Sequence, residues 1–156
     1  DGEKYMDGDS FQGKAETGYT YVWRLYGVDC PESDTRQMER VKEQAKHFGV
    51  DEKAVLKWGE KATEFTRKVL SKGFTVHTKK AKARGASKKQ RYYAIVLVGE
   101  KSLAEMLVEE GYARAYGMAV DSPIGRGQDK KRFMQLLERA ERKAKRDKKG
   151  IWAESE

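Results

Sequence analysis

The sequence predicts an α+β fold, because segments with strand character and segments with helical periodicity are grouped along its 156 residues rather than alternating. Alternating aromatic residues near the start indicate strands, and apolar residues spaced three and four apart indicate helices later on. A composition of 38% hydrophobic and 37% charged residues fits a globular domain with a heavily charged exterior. We therefore expect one domain over residues 1–156.

The first half of the chain is predicted to begin with strands and continue with helices. Residues 5–27 have strand character, with a hairpin tip at 13–18. A polar helical segment follows at about 35–48. The next helix begins after Asp51, whose side chain can cap it, and ends at Gly73. Its apolar residues, three and four apart, are Val55, Trp58, Ala62, Phe65 and Val69.

The second half is predicted to contain two strands, two helices and two loops. In chain order they are a strand at 74–78, a basic loop at 79–90, a strand at 92–98, a helix at 102–110, a loop at 121–128 and a basic amphipathic helix at 129–149. The apolar run within the second strand is far too short to span a membrane.

The net charge of +8 indicates polyanions as partners, although a basic protein with no such partner has the same composition. The basic run on the last helix is interpreted as a solvated face that adds long-range attraction. Cys30 is the single cysteine, which excludes an internal disulfide and a cysteine-rich zinc site. A nucleophilic role for its thiol would need a nearby base, and neither His47 nor His77 is close in sequence.

Two short segments near the start carry the chemistry. Asp7-Gly8-Asp9-Ser10 taken alone is a common turn sequence. The segment from Trp23 to Glu32 adds Arg24, Asp29 and Glu32 at the predicted strand ends. Carboxylates close in space repel one another unless a cation lies between them, and an arginine beside them favours a phosphate. Together these groups predict a phosphodiester hydrolase.

The order of these motifs resembles the staphylococcal nuclease, or thermonuclease-like, family. The matching residues are Asp7-Gly8-Asp9-Ser10, the run Arg24 to Glu32, Arg91, Gly111-Tyr112-Ala113 and Gly150-Ile151-Trp152. The resemblance implies a five-stranded OB-type β-barrel packed with three main α-helices, with residues 34–57 as a helical insertion after the second motif. That insertion is interpreted as decorative, with a lid or partner surface as the alternative.

The resemblance also implies roles for particular residues. Ca²⁺ would be bound by the carboxylates of Asp9 and Asp29 and by the backbone carbonyl of Cys30, all oxygen ligands. Glu32 would be the general base or would orient the attacking water. The guanidinium groups of Arg24 and Arg91 would hold the phosphate from two sides.

Four further residues are candidates for substrate binding. Lys88 and Lys89 lie where relatives often carry Asp-x-x-Gly-Arg, and they would contact a terminal phosphate or belong to a solvated loop. Tyr112 and Tyr116 follow the predicted helix at 102–110, where relatives place aromatic residues in the nucleotide pocket; Tyr116 is favoured for the pocket, and a core position is the alternative.

The predicted function is a Ca²⁺-dependent nuclease that cleaves DNA and RNA with low sequence specificity and leaves 3′-phosphates. The alternative is a non-catalytic nucleic-acid- or protein-binding module of the same fold. A calcium-binding structural domain would explain Asp9 and Asp29 but not the two arginines. We also expect a monomer, a preference for single-stranded or locally opened substrate, and secretion or envelope association with a leader absent from this sequence.

Overall fold

The computed structural model describes residues 6–79, 90–117, 122–124 and 127–156. Its strands are β1 (Ser10–Lys14), β2 (Thr20–Leu25), β3 (Val28–Asp29), β4 (Thr75–His77), β5 (Arg91–Val98), β6 (Lys101–Ser102) and β7 (Arg114–Ala115). Its helices are α1 (Met38–Phe48), α2 (Glu52–Leu70), α3 (Leu103–Glu109) and α4 (Gln128–Arg146), and 3-10 turns lie at Thr35–Gln37 and Gly150–Glu154.

A curled sheet of mixed strands forms the first layer, in the order β1-β2-β5-β4, with β6 also paired to β5. The β1–β2 hairpin is antiparallel, whereas β2 and β5 run parallel and pair Arg24 with Tyr93. A separate two-stranded ladder joins β3 to β7 and pairs Asp29 with Arg114. The parallel pair and the small ladder bring the ends of β2, β3 and β5 to one place.

Helices α2 and α3 begin where the local sequence supplies a side-chain cap. The Asp51 side chain accepts a hydrogen bond from the backbone N–H of Ala54 and starts α2, and Ser102 does the same for α3 through Glu105. Helix α1 ends at Gly49, whose φ of 69° is a left-handed conformation that glycine adopts without strain. These contacts are local in sequence, which is why the helix positions could be predicted.

The main core lies between the sheet and helices α2, α3 and α4. It is built from apolar side chains of all four elements, including Leu25, Ala62, Leu107 and Leu137. A second cluster packs Phe48 of α1 against Ile151 and Trp152. A third packs Val41 and Ala45 of α1 against Val55 of α2. Helix α1 is therefore fixed along its apolar side, and its polar side is held at a definite place.

The structure confirms the α+β class and is consistent with the OB-type fold, with α2, α3 and α4 as the main helices. Helix α1 occupies part of the predicted 34–57 insertion, whose status as an insertion stays a prediction. The sequence did not indicate β3, β6 and β7, because each has only two residues and is defined by its partner. Most of the two predicted loops, 80–89, 121 and 125–126, lies outside the described residues.

Candidate active site

A cleft of about 480 Å³ opens where β2 and β3 end and β5 begins, beside α1. Five of the predicted side chains line it together with Tyr116; they are Asp9, Arg24, Asp29, Glu32 and Arg91. The structure thus brings the two motifs and the later arginine into one place. Asp7, Arg40 and Tyr93 line the same cleft.

The Asp7-Gly8-Asp9 segment is fastened by backbone contacts on both sides. The Asp9 carbonyl accepts a hydrogen bond from the N–H of Leu25, and the hydroxyl of Thr66 on α2 donates to the Gly8 carbonyl at 2.6 Å. A Cβ at position 8 would lie 2.7 Å from the Cys30 Sγ, which only glycine avoids. The backbone N–H of Cys30 donates to Asp9 Oδ2 at 2.8 Å. The carboxylate of Asp9 is therefore directed at Cys30, near the end of the second motif.

Three carboxyl groups of the cleft have raised pKa values. The pKa of Asp7 is raised from its ordinary value of 3.8 to about 7; burial is the largest cause, the charges of Asp9 and Glu32 add to it, and those of Arg24 and Arg91 oppose it. Burial is also the main cause of the raised pKa of Asp9 and of Glu32. A cation placed among these groups would favour their ionised forms.

The raised pKa of Asp7 predicts how stability depends on pH without metal. The folded protein binds the proton of the Asp7 carboxyl group more tightly than the unfolded chain does. The contribution of this proton to the free energy of unfolding is therefore complete below pH 3.8 and is lost as the pH rises through about 7. We expect the free energy of unfolding in EGTA to fall between pH 5 and pH 8, and to fall less in Asp7→Asn. Denaturant titration of both proteins measures the difference. If the free energy of unfolding depended on pH equally in the two proteins, the raised pKa of Asp7 would be contradicted.

The two predicted arginines differ in how far their hydrogen-bond donors are already engaged. Arg24 donates to the backbone carbonyls of Leu25 and Val28 at 2.7 and 2.9 Å, and its Nη2 lies 3.4 Å from Asp9 and 3.6 Å from Asp29. Among the described residues, Arg91 makes one long contact, 3.4 Å from Nη2 to the Ser10 hydroxyl. Its buried Nε has no hydrogen-bond partner among the described residues. Arg91 is thus the guanidinium with donors left for a phosphate.

Asp29 is surrounded by nitrogen donors. Arg40 Nη2 lies 2.6 Å from its Oδ1, and Gln44 Nε2 and Arg114 Nε each lie 2.9 Å from its Oδ2. Arg114 is itself buried and donates two further hydrogen bonds to the carboxylate of Glu43. Gln44 also donates to the Cys30 carbonyl at 2.9 Å. Both groups expected to bind calcium on this side of the cleft are therefore hydrogen-bonded to helix α1.

Glu32 is positioned by α1 and α2 together. Its backbone N–H donates to Gln44 Oε1 at 2.8 Å, and its Oε1 accepts from Arg40 Nε at 3.0 Å. Its backbone carbonyl lies directly against Gly59 of α2, where a Cβ would come within 2.3 Å of the carbonyl oxygen. The close approach of the two backbones explains why α2 has a glycine in its interior.

Replacing Gly59 by alanine is expected to destabilise the fold and displace Glu32. Alanine normally stabilises a helix interior relative to glycine, but here the methyl group would overlap the Glu32 carbonyl. Overpacking of this kind costs about 1–3 kcal/mol of unfolding free energy. Denaturant titration measures it, with Glu60→Ala, at the exposed neighbouring position, as the control. A Gly59→Ala protein as stable as the control would contradict the close approach.

The remaining predicted residues are distributed unevenly. Tyr116 is 45% exposed, lines the cleft and lies over the Arg114 guanidinium at 4.1 Å. Tyr112 packs against Phe65 and Trp58 and lines a different groove beside α2, so the structure does not bring it to the cleft. Lys88 and Lys89 lie outside the described residues. The Cys30 thiol is buried with a raised pKa, which does not suit a nucleophile.

Sequence reasoning missed three residues of the site, Arg40, Gln44 and Arg114. The first two are four apart on one face of α1, shortly after Glu32, and that spacing was a usable signal. Arg114 directly follows the Gly111-Tyr112-Ala113 motif, but nothing local shows that it reaches Asp29, 85 residues earlier.

A comparison with protein families decides the relationship. The family model described as Staphylococcal nuclease homologue matches residues 22–154 of the chain. The chain belongs to the staphylococcal nuclease homologue family. The matched range includes Arg24, Asp29, Glu32 and Arg91 and begins after Asp9. Members of the family are generally nucleases, so membership supports a nuclease-like or nucleic-acid-binding function.

The staphylococcal nuclease homologue family is typically calcium-dependent, and the donors here fit calcium in kind. The buried Oδ1 of Asp7 has no hydrogen-bond partner among the described residues, and the Asp9 carboxylate lies beside it in the cleft. Within the described ranges, no three His, Cys, Asp or Glu side chains are arranged around a metal position as they stand. The oxygens of Asp29 instead accept hydrogen bonds from Arg40, Gln44 and Arg114.

Over the part of the chain that the structure describes, none of the helices combines the length and apolar character that a membrane span requires.

Proposed function

We propose that this protein is a calcium-dependent nuclease that hydrolyses phosphodiester bonds of DNA and RNA with low sequence specificity and leaves 3′-phosphates. The observation that carries the proposal is the pairing, in one cleft, of two groups: Arg91, whose buried Nε has no hydrogen-bond partner among the described residues, and Glu32, whose pKa is raised. Arg91 is suited to bind a phosphate, and Glu32 is suited to accept a proton from a water molecule.

Glu32 would act on the attacking water. Its Oε1 is held by Arg40, which leaves the second carboxylate oxygen to accept a proton from a water in the cleft. Burial raises the pKa of Glu32, which brings it closer to the working pH and makes it a stronger base. The water oxygen forms a bond to phosphorus as the bond to the 5′ oxygen breaks. The water's proton moves to Glu32.

The arginines would bind the phosphate and the charge that develops on it. Arg91 offers its Nε and its weakly engaged Nη2 to non-bridging oxygens. Arg24, held in place by two backbone carbonyls, adds positive charge on the Asp9 side. The leaving 5′ oxygen accepts a hydrogen bond from a guanidinium and takes a proton from a solvent water, and the hydroxide so formed takes up the proton that Glu32 releases. The cleavage leaves the phosphate on the 3′ side.

Calcium would be held by the Asp9 carboxylate, supported by Asp7, and by Asp29 and the Cys30 carbonyl once these are released from their present donors. When bound, it supplies positive charge to a non-bridging phosphate oxygen. The residues of the chain do the rest of the chemistry.

Low sequence specificity follows from what the cleft offers. Its charged groups recognise phosphate, which is the same in every nucleotide. The exposed ring of Tyr116 can stack on any base, which favours single-stranded or locally opened DNA and RNA. The net charge of +8 attracts both polymers over distance. We further propose that the protein acts as a monomer.

The second candidate is a nucleic-acid-binding module without catalysis. A calcium-dependent nuclease needs Asp29 as a metal ligand. Three side chains already donate hydrogen bonds to the Asp29 carboxylate, and that observation favours the binding module. The two functions differ in their products.

The test is to incubate the protein with a 5′-labelled single-stranded oligonucleotide in Ca²⁺ and to analyse the ends of the products. We expect fragments that migrate with 3′-phosphate markers and shift after treatment with a phosphatase. Fragments with 3′-hydroxyl ends would contradict the proposed bond cleavage. Retention of intact oligonucleotide by the folded protein would favour the binding module.

A further inference from the structure

Helix α1 places a cation between two groups that the proposed reaction needs. The Arg40 guanidinium bridges Asp29 and Glu32, with Nη2 2.6 Å from Asp29 Oδ1 and Nε 3.0 Å from Glu32 Oε1. The distance to Oδ1 is close to the 2.3–2.6 Å of a calcium–oxygen bond. An arginine nitrogen and a metal ion cannot occupy the same side of one oxygen at such distances.

The other two arginines at Asp29 are not free to move in the same way. Arg24 is anchored to two backbone carbonyls. The Arg114 side chain is 1% exposed and is clamped by Glu43. The Arg40 side chain is 39% exposed, and its guanidinium pairs with the two site carboxylates, Asp29 and Glu32. Arg40 is thus the cation that can leave Asp29 without unpacking the core.

The backbone of α1 keeps Arg40 close to the site even when its contacts break. Val41 and Ala45 fix the helix against α2, and Phe48 packs on Trp152. Gln44, one turn after Arg40, holds the Glu32 backbone and Asp29 at the same time. A released Arg40 side chain would therefore remain tethered beside the cleft, at a high local concentration.

We propose that Arg40 is a resident counterion of the site, which holds Asp29 and Glu32 together without metal and competes with Ca²⁺ for Asp29. The inference rests on the proposed calcium-dependent function and adds to it. Calcium must break the Arg40–Asp29 contact in order to bind Asp29. The affinity of the protein for calcium is lower, for that reason, than the affinity of the same site without Arg40.

The test is to measure Ca²⁺ binding by isothermal titration calorimetry in the wild type, Arg40→Met, Arg40→Lys and Arg36→Met. Methionine keeps much of the apolar stem and removes the charge, and lysine keeps a charge but cannot bridge both carboxylates. Arg36, 86% exposed and paired with Asp34, is the matched control. Loss of one charge-assisted hydrogen bond should tighten calcium binding by about tenfold in Arg40→Met.

The expected order of affinity is Arg40→Met first, then Arg40→Lys, then the wild type and Arg36→Met together. The rise in melting temperature on adding Ca²⁺ should follow the same order, and this readout also works if Arg40→Met is poorly folded without metal. Equal or weaker calcium binding in Arg40→Met would overturn the inference. So would unchanged calcium affinity with weakened DNA binding, which would make Arg40 a phosphate ligand instead.

The failure of the inference can be told apart from the failure of the proposed function. Suppose that the wild type cleaves DNA only with calcium but that all four proteins bind calcium with equal affinity. That result overturns the counterion role of Arg40 and leaves the proposed function standing. Absence of calcium binding in all four proteins overturns the calcium dependence as well.

Discussion

Glu32→Gln is expected to lower kcat for DNA cleavage by about 10²- to 10⁴-fold, the usual contribution of a positioned general base. Glutamine has the same shape, and its side-chain oxygen can still accept the hydrogen bond that Arg40 Nε donates to Glu32. The backbone contacts of Glu32 to Gln44 and Gly59 do not involve the substituted atoms. The loss should therefore appear in kcat, with little change in the melting temperature or in DNA affinity.

The matched control is Glu39→Gln, a carboxylate on α1 that is 93% exposed. It carries the same change of charge close to the cleft, so it separates a local role from a general effect of net charge. We expect single-turnover cleavage by Glu39→Gln to match the wild type. A Glu32→Gln protein that cleaves as fast as this control would remove Glu32 from the reaction and leave the base to be sought elsewhere.

Arg114→Met is expected to cause the largest loss of stability, about 3 kcal/mol of unfolding free energy, at the lower end of what breaking a buried ion pair costs. Both Arg114 and Asp29 have side chains that are 1% exposed, so the substitution would leave a buried carboxylate with less compensation. Gln44 and Arg40 still contact Asp29, which is why the loss stays near the lower end. The other partner, Glu43, is half exposed and can be hydrated.

Denaturant titration of Arg114→Met beside Arg36→Met tests this expectation. The Arg36–Asp34 pair lies on the surface, where an ion pair contributes little, so the control should behave as the wild type. Equal stabilities of the two variants would mean that the buried network around Asp29 does not hold the fold together.

The parts of the fold that were predicted from sequence are those encoded locally. Asp51 and Ser102 cap their own helices, and the β1–β2 hairpin closes over a short turn. Strands β3 and β7 have two residues each and are defined only by their pairing with each other. That pairing places Asp29 opposite Arg114, which lies far away in the chain. No periodicity over two residues could indicate them.

The candidate site also has a part that could be predicted from local sequence and a part that could not. The side chains of Asp9, Arg24, Asp29, Glu32 and Arg91 stand in motifs, and the structure brings them to one cleft; their chemical roles stay predictions. Arg40 and Arg114 are two among 33 lysines and arginines. Arg40 reaches Asp29 because α1 packs against α2 and α4, and Arg114 reaches it because β7 pairs with β3; the local sequence specifies neither contact.

We propose that this cleft cleaves nucleic acid with the help of calcium. The most direct measurement follows cleavage of a labelled single-stranded oligonucleotide in Ca²⁺, after excess EGTA and after Ca²⁺ is restored, with the wild type and Glu32→Gln in parallel. We predict cleavage by the wild type that stops in EGTA and resumes with calcium, and almost none by Glu32→Gln. Cleavage that continues in EGTA, or bound DNA that stays intact in calcium, would contradict the account.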